Sequence, residues 1–197
     1  MKVLETDIKG VAIIGPQLYG DNRGYFFESY NEKLFNEQVA LKILHTKAVE
    51  FVQDNESKSC YGVVRGLHFQ KPPYAQSKLV RVVKGEVLDV AVDIRRNSPT
   101  FGRHVAVRLS ESNHLQLFIP RGFAHGFSVL SQEAVLQYKC DNFYNRESEG
   151  AIIWNDPQLD IDWMIPAEQV ILSEKDMNHP LLDDAPYLFD YNDRLYC

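Results

Sequence analysis

The chain has 197 residues, 45% of them hydrophobic and 24% charged, enough apolar material for one domain with a core of its own. Its 21 Lys and Arg against 27 Asp and Glu leave a net charge of −6. This excludes bulk attraction to nucleic acid or an anionic membrane and makes any local basic cluster informative. No apolar run reaches the roughly 18 residues of a membrane span, and the start Met1-Lys2-Val3-Leu4-Glu5-Thr6-Asp7 turns polar too soon for a signal peptide. Cys60, Cys140 and Cys197 are odd in number and far apart, so they imply neither a disulfide framework nor a metal spacing, and a reducing cytoplasm is the expected home.

In chain order, Val11 to Ile14 reads as an opening strand. Gly20-Asp21-Asn22-Arg23-Gly24 is a turn leading into a second strand, Tyr25 to Tyr30. Asn31 is a candidate N-cap for a short helix reaching about Val39, with Leu34, Phe35 and Gln38 at helical spacing. Ala48 to Val52, Gly62 to Phe69, Leu79 to Val83 and Val87 to Ile94 read as extended, with Lys84-Gly85-Glu86 as a tight turn between the last two. In that last strand Leu88, Val90 and Val92 alternate with Asp89, Ala91 and Asp93, the pattern of a strand buried on one face. His104 to Leu109, Leu115 to Ile119, Gly126 to Leu130 and Val135 to Cys140 continue the series, and further helix is expected only in short turns after Pro157. Strands recurring every 8–12 residues or so predict an all-β fold, a jelly-roll β-barrel with a few short helices. The whole chain, 1–197, is expected to be a single domain.

Two histidines stand out: His68 within Arg65-Gly66-Leu67-His68-Phe69-Gln70, and His125 within Pro120-Arg121-Gly122-Phe123-Ala124-His125-Gly126-Phe127. Both lie on strands, and Arg65, Lys78 and Arg81 crowd the region of the first. The second run resembles the Pro-x-Gly-x-x-His motif of cupin barrels. The first departs from the cupin pattern, because Gln70 replaces a second histidine and no carboxylate follows before Glu86. A catalytic metal usually takes about three protein ligands, so no metal is expected here. A histidine working as a base is the alternative.

Taken together, several stretches resemble the dTDP-4-dehydrorhamnose 3,5-epimerase family. They run from Gly20 to Tyr30, Phe51 to Asn55, Arg65 to Gln70 and Lys78 to Arg81. Further on they include Gly85 to Ile94, Ser98 to Gly102, Ile119 to Phe127, Tyr138-Lys139 with Tyr144, Trp154-Asn155-Asp156 and Leu172 to Asp176. The likeness spans about 11–182 in the family's order and leaves 183–197 as a tail of unknown packing. It implies a cupin-type jelly roll that inverts C3 and C5 of a dTDP-linked 4-keto-6-deoxyhexose without a cofactor. Both carbons flank the C4 ketone, so the chemistry needs a base on one face, a proton donor on the other, and a cation near the enolate oxygen.

The resemblance assigns His68 as the base, Asp176 as the carboxylate that orients it, Tyr138 as the general acid and Lys78 as the cation near O4. His125 and Tyr144 are implied to line the sugar pocket. Arg65 and Arg23 are implied to meet the diphosphate, for which a guanidinium fork is suited. Glu28, Gln53 and Asn55 are implied to read the base, with Phe26 packed on it. In the family some of the N-terminal residues serve the neighbouring subunit's site through exchanged strands, so a homodimer is implied. One geometric condition attaches to Arg65: in a regular strand it and His68 point to opposite faces, and Gly66 would have to mark a bulge or bend. Competing readings are a monofunctional 3- or 5-epimerase, a metal-dependent cupin enzyme and a non-catalytic sugar-binding barrel.

Overall fold

The computed structural model describes residues 1–196; Cys197 lies outside the described residues. The strands, in chain order, are β1 (Lys2–Glu5), β2 (Ala12–Gly15), β3 (Tyr19–Asp21), β4 (Gly24–Phe26), β5 (Gln53–Cys60), β6 (Val64–Gln70), β7 (Lys78–Lys84) and β8 (Glu86–Asp93). They continue as β9 (Arg95–Arg96), β10 (His104–Ser110), β11 (Gln116–Ile119), β12 (Phe123–Val129), β13 (Glu133–Cys140), β14 (Glu149–Ala151) and β15 (Phe189–Asp190). Two antiparallel sheets face each other as a jelly roll. One runs β1-β2-β11-β7-β13-β5 and the other β10-β8-β12-β6-β14. Between them Val80, Val82, Leu117 and Leu136 pack against Val87, Ala91, Phe123, Phe127 and Val129. Among the described residues no helix is long and apolar enough to cross a membrane.

Asn31 caps α1 (Glu32–Phe35), the one α-helix among the described residues: its Oδ1 accepts from the Leu34 N–H at 3.1 Å. A π-helical turn, Asn36–Ala40, extends it. Phe35 and Val39 seal the outer face of the six-stranded sheet against Ile14, Leu79 and Phe118.

The five-stranded sheet is buried on both faces, which overturns the half-buried reading of β8. Leu88, Val90 and Val92 point outward but are covered by Ile152, Leu159, Trp163, Leu182 and Phe189 from the C-terminal third. Asp89 and Asp93, fully buried, share the other, inward-facing side of the strand with Ala91. The polar half of the alternation therefore faces the barrel interior.

Three local expectations are corrected. Ala48 to Val52 forms no strand; Val49 and Phe51 join the helix-packed cluster instead. The actual strand is the next segment, β5, whose sequence Gln-Asp-Asn-Glu-Ser-Lys-Ser-Cys carries no apolar pattern because it is an edge strand with one face on solvent. The strand expected over Tyr25 to Tyr30 shrinks to β4, which pairs only with β3 in an exposed hairpin. The turn at Lys84-Gly85-Glu86 is present but carries the chain from one sheet to the other, since β7 and β8 are not ladder partners. The tail packs on the barrel: β15 pairs in parallel with β9, and the Tyr196 hydroxyl accepts from the Arg121 N–H at 2.9 Å and bonds the Ser77 hydroxyl at 2.7 Å.

The irregularity required at Gly66 is present. β12 pairs His125 with His68, but the register jumps before Phe127 meets Arg65. Gly66 has φ +126°, and a Cβ there would lie 2.6 Å from Gly126 Cα and 2.9 Å from the His125 carbonyl oxygen. Only glycine allows this approach. Gly66→Ala is expected to cost about 3 kcal/mol or more, read in a thermal melt as a Tm lower by roughly 6–12 °C. A wild-type melting curve for this variant would show that the close approach constrains nothing.

Candidate active site

The apolar filling of the barrel stops short of one end, where inward-facing polar side chains line a cavity of about 560 Å³. Its walls include Gln53 and Asn55 from β5, His68 and Gln70 from β6, Lys78 from β7, Tyr138 and Cys140 from β13, and Tyr144 and His179 from the loops beyond. His68 stands on the five-stranded sheet, whereas Lys78 and Tyr138 stand on the six-stranded one. The cavity thus separates an imidazole on one wall from an ammonium and a phenol on the other.

The His68 Nε2–H donates to Asp176 Oδ1 at 2.6 Å, a contact between residues 108 apart in sequence. Asp176 opens a single helical turn, Asp176–Asn178, and is buried. Its other oxygen accepts from the Ser173 hydroxyl at 2.7 Å, and its own N–H donates back to that hydroxyl at 3.1 Å. Burial alone would raise the Asp176 carboxyl, but the hydrogen bonds from His68 and Ser173 and the nearby imidazoles outweigh it and hold the group at about 2. The carboxylate is therefore ionised at neutral pH and fixes the proton of His68 on Nε2, leaving Nδ1 as the basic nitrogen.

A second histidine–carboxylate pair lies deeper. His125 Nε2–H donates to Asp89 Oδ1 at 2.7 Å, and both side chains are buried. Lys78 Nζ approaches His125 Nδ1 at 3.4 Å, which ranks Asp89, His125 and Lys78 in a row. Burial pulls the Lys78 ammonium below the ordinary lysine range, against the opposing attraction of Asp89. Burial likewise lowers His125, although Asp89 pulls the other way. Lys78 Nζ is also 5.8 Å from the Tyr138 ring. Burial raises the Tyr138 hydroxyl, so it keeps its proton at neutral pH. The neighbouring Cys140 thiol is raised to about 11, chiefly by burial, and is not a nucleophile at neutral pH.

Arg65, exposed beside the bulge in β6, donates to the Ser59 hydroxyl of β5 at 3.2 and 3.3 Å. It lies close enough to Tyr138 for its charge to oppose the rise of that hydroxyl. Gln53 donates to Asn55 Oδ1 at 3.0 Å and accepts from the Tyr144 N–H at 3.0 Å. The Tyr144 hydroxyl donates to Glu149, which also pairs with Lys175.

Of the sequence-assigned residues, the chain brings His68, Asp176, Lys78, Tyr138, His125, Gln53, Asn55, Arg65 and Tyr144 to one end of the barrel. Arg23, Phe26 and Glu28 do not join them. Arg23 pairs with Asp21 at the exposed hairpin tip, Phe26 is 66% exposed, and Glu28 lines a separate pocket with Tyr30 and Gln116. Arg81, grouped with Lys78 by sequence, faces the opposite side of β7 and lies 5.5 Å over the Phe27 ring. Sequence reading missed Asp89, whose signal was an acid in phase with the small inward residue Ala91. It also missed His179, three residues past Asp176, which no sequence pattern marks.

An imidazole base held by a carboxylate, facing a buried ammonium and a protonated phenol across a jelly-roll cavity, defines a cupin-type epimerase of the acid–base kind. The chain matches the family model described as dTDP-4-dehydrorhamnose 3,5-epimerase over residues 5–184. It belongs to the dTDP-4-dehydrorhamnose 3,5-epimerase family. The Shigella flexneri dTDP-4-dehydrorhamnose 3,5-epimerase is 54% identical over 187 residues, covering 95% of this chain and 99% of that protein. The crystal structure of the enzyme from Elizabethkingia anophelis NUHP1 matches with a TM-score of 0.88 and 55% identity, covering 95% of this chain and 99% of that one. A dTDP-6-deoxy-D-glucose-3,5-epimerase from Legionella pneumophila Philadelphia 1, in complex with dTDP-4-keto-L-rhamnose, matches with a TM-score of 0.90 and 48% identity over 98% of this chain and 99% of that one.

Asp176→Asn should lower kcat by about 10²-fold or more with little change in KM, because the imidazolium formed in the reaction loses its counter-charge. Asp176 is held below its ordinary value, so its contribution to stability is complete above the usual carboxylate range and is lost as pH falls toward about 2. Acid titration of the two proteins should show a stability loss between roughly pH 4 and 2 that is larger in wild type than in Asp176→Asn. Parallel acid curves would mean that Asp176 is unpaired in solution.

Proposed function

We propose that the chain converts dTDP-4-dehydro-6-deoxy-D-glucose to dTDP-4-dehydro-L-rhamnose by inverting C3 and C5, with His68 as the base and Tyr138 as the acid. The observation that carries the assignment is the placement of these two side chains on opposing sheets with the cavity between them. A proton removed by His68 Nδ1 on one face of the sugar ring is replaced by the Tyr138 hydroxyl on the other, which is what inversion requires. Asp176 stabilises the imidazolium while it exists. Negative charge develops on O4 as the proton leaves, and Lys78 provides the ammonium that meets it. Burial makes that ammonium costly alone and so favours an anionic partner. His125, fixed by Asp89, positions Lys78 from behind.

Arg65, exposed beside Ser59, suits the diphosphate, and Gln53, Asn55 and Tyr144 in the cavity wall suit the polar edges of the sugar nucleotide. Arg23, Phe26 and Glu28 enter this reading through a second copy of the chain. The β3–β4 hairpin projects Tyr19, Tyr25 and Phe26 into solvent, each more than 60% exposed. Such an apolar hairpin calls for a cover, and an exchanged hairpin in a homodimer supplies one.

Turnover in deuterium oxide tests the reaction: label at both C3 and C5 supports double inversion, and label at one carbon makes the chain a monofunctional epimerase. His68→Ala and Tyr138→Phe should each lower kcat by about 10²–10⁴-fold, and near-wild-type rates in either would remove that residue from its role. Lys78 acts as its ammonium, so kcat/KM should fall with rising pH at a point below the ordinary lysine range. Lys78→Arg should move that limb upward; an unmoved limb would assign it to another group. The exchanged hairpin is tested by mixing His68→Ala with an inactive Arg23→Ala/Glu28→Ala variant. Recovery of activity on mixing supports sites shared between subunits, and no recovery places the whole site in one chain.

A further inference from the structure

Beside the proposed base lies a group that the reaction above does not use. His179 packs edge-on against His68, with ring centroids 5.6 Å apart. Its Nε2 is buried and makes no hydrogen bond. The nearest acceptor, Asp176 Oδ1, is 3.5 Å away. A buried imidazole nitrogen without a partner is uncommon in native proteins, where such atoms usually find a protein group, a water or an ion. Here one ligand atom from each of His68, Asp176 and His179 lies within 4.8 Å of the other two.

We propose that His68, Asp176 and His179 form an inhibitory site for a divalent transition-metal ion, with Zn²⁺ the best fit. Two imidazoles and one carboxylate make a donor set of intermediate softness, suited to Zn²⁺, Co²⁺ or Ni²⁺ and poor for Mg²⁺ or Ca²⁺. Around a tetrahedral Zn²⁺ with ligand bonds of about 2.0–2.1 Å, donor atoms sit roughly 3.3 Å apart. The 2.6 Å between His68 and Asp176 and the 3.5 Å between His179 and Asp176 bracket that spacing. Asp176 is held ionised, and burial keeps His179 low in its range and therefore neutral at physiological pH, with its lone pair available. Access is open, because the His68 side chain is 41% exposed to the cavity. The Lys175 ammonium nearby is partnered by Glu149.

The inhibition follows from the tautomer. The free dyad carries the His68 proton on Nε2 and presents Nδ1 as the base. A metal ion bonded to Nε2 takes the place of that proton, which leaves to solvent while Nδ1 takes one up, so the neutral ligated imidazole is the Nδ1–H tautomer with no net proton change. The nitrogen that would abstract from the sugar is then protonated and no longer a base. The ion is an antagonist of the reaction and not its cofactor.

Binding is read first without turnover, so that the result stands apart from the assigned reaction. Chelator-treated protein in a Cys60→Ser/Cys197→Ser background, which removes the exposed thiol Cys60 and the terminal thiol as competing ligands, is titrated with Zn²⁺ by calorimetry and with Co²⁺ by visible absorption. One equivalent should bind, with a Co²⁺ spectrum of low coordination number. Affinity should fall at least tenfold in His179→Gln and equally in His68→Asn, two variants that alter the site from different sides. Circular dichroism checks that each is folded. In the epimerisation assay, Zn²⁺ should inhibit over the same concentration range as it binds, compete with the dTDP sugar and be reversed by EDTA. Unchanged Zn²⁺ affinity in folded His179→Gln overturns the proposal, as does the absence of a stoichiometric site. Binding without inhibition would keep the site and remove its regulatory meaning. A chain with no epimerase activity but a His179-dependent site would fail the assigned reaction alone.

Discussion

The hydrogen bond between His68 and Asp176 is the contact on which the candidate site depends. It joins β6, an interior strand of the five-stranded sheet, to a turn more than a hundred residues later. For the turn to reach His68, the C-terminal third must wrap the outer face of that sheet, which it does by burying Trp163, Leu159 and Leu182 against Leu88, Val90 and Val92. Hydrophobic burial on the outside of the sheet therefore sets the orientation of an imidazole on the inside. The two sides of β6 are coupled further at Gly66, where the missing Cβ lets β12 come close and the register shifts, so that Arg65 meets Ser59 of β5 while His68 lines the cavity.

The two histidine–carboxylate pairs differ in environment, and that difference divides their work. His68 is partly open to the cavity and keeps one ring nitrogen free. His125 is buried with Asp89 and spends its other nitrogen on Lys78. The first arrangement can exchange a proton with a substrate. The second is suited to holding a lysine whose ammonium is strained by burial until an anion arrives. Asp89 also acts on Lys78 through its charge, which offsets part of the desolvation of the ammonium.

Much of this was legible in the chain. The period-2 strands, the Asn31 cap and the two histidine motifs all depend on near neighbours in sequence, and local rules govern them. The segments read wrongly were those whose local signal and tertiary role diverge. Val49 and Phe51 look like a strand because they are apolar and β-prone, yet they are taken up by the Phe35 cluster. β5 looks like a loop because an edge strand facing a polar cavity and solvent needs no apolar residues. Asp89 and Asp93 looked solvent-facing because alternation identifies two faces without saying which is inside. His179 carried no signal at all, since its neighbours His68 and Asp176 are assembled only by the fold.

The sequence by itself determined the jelly-roll class, the departure from a cupin metal motif, the family and the candidate residues for its chemistry, because these rest on residue types and short spacings. Tertiary structure alone decided that Arg65 reaches Ser59 and the field of Tyr138 despite its odd spacing from His68, that Arg81 lies over Phe27 instead, and that Arg23, Phe26 and Glu28 stand apart from the other assigned residues. It also placed His179, whose buried Nε2 makes no hydrogen bond, against the proposed base. Direction and proximity across a sheet are set by register, bulges and what covers each face, and those are properties of the packed molecule that no stretch of chain encodes alone.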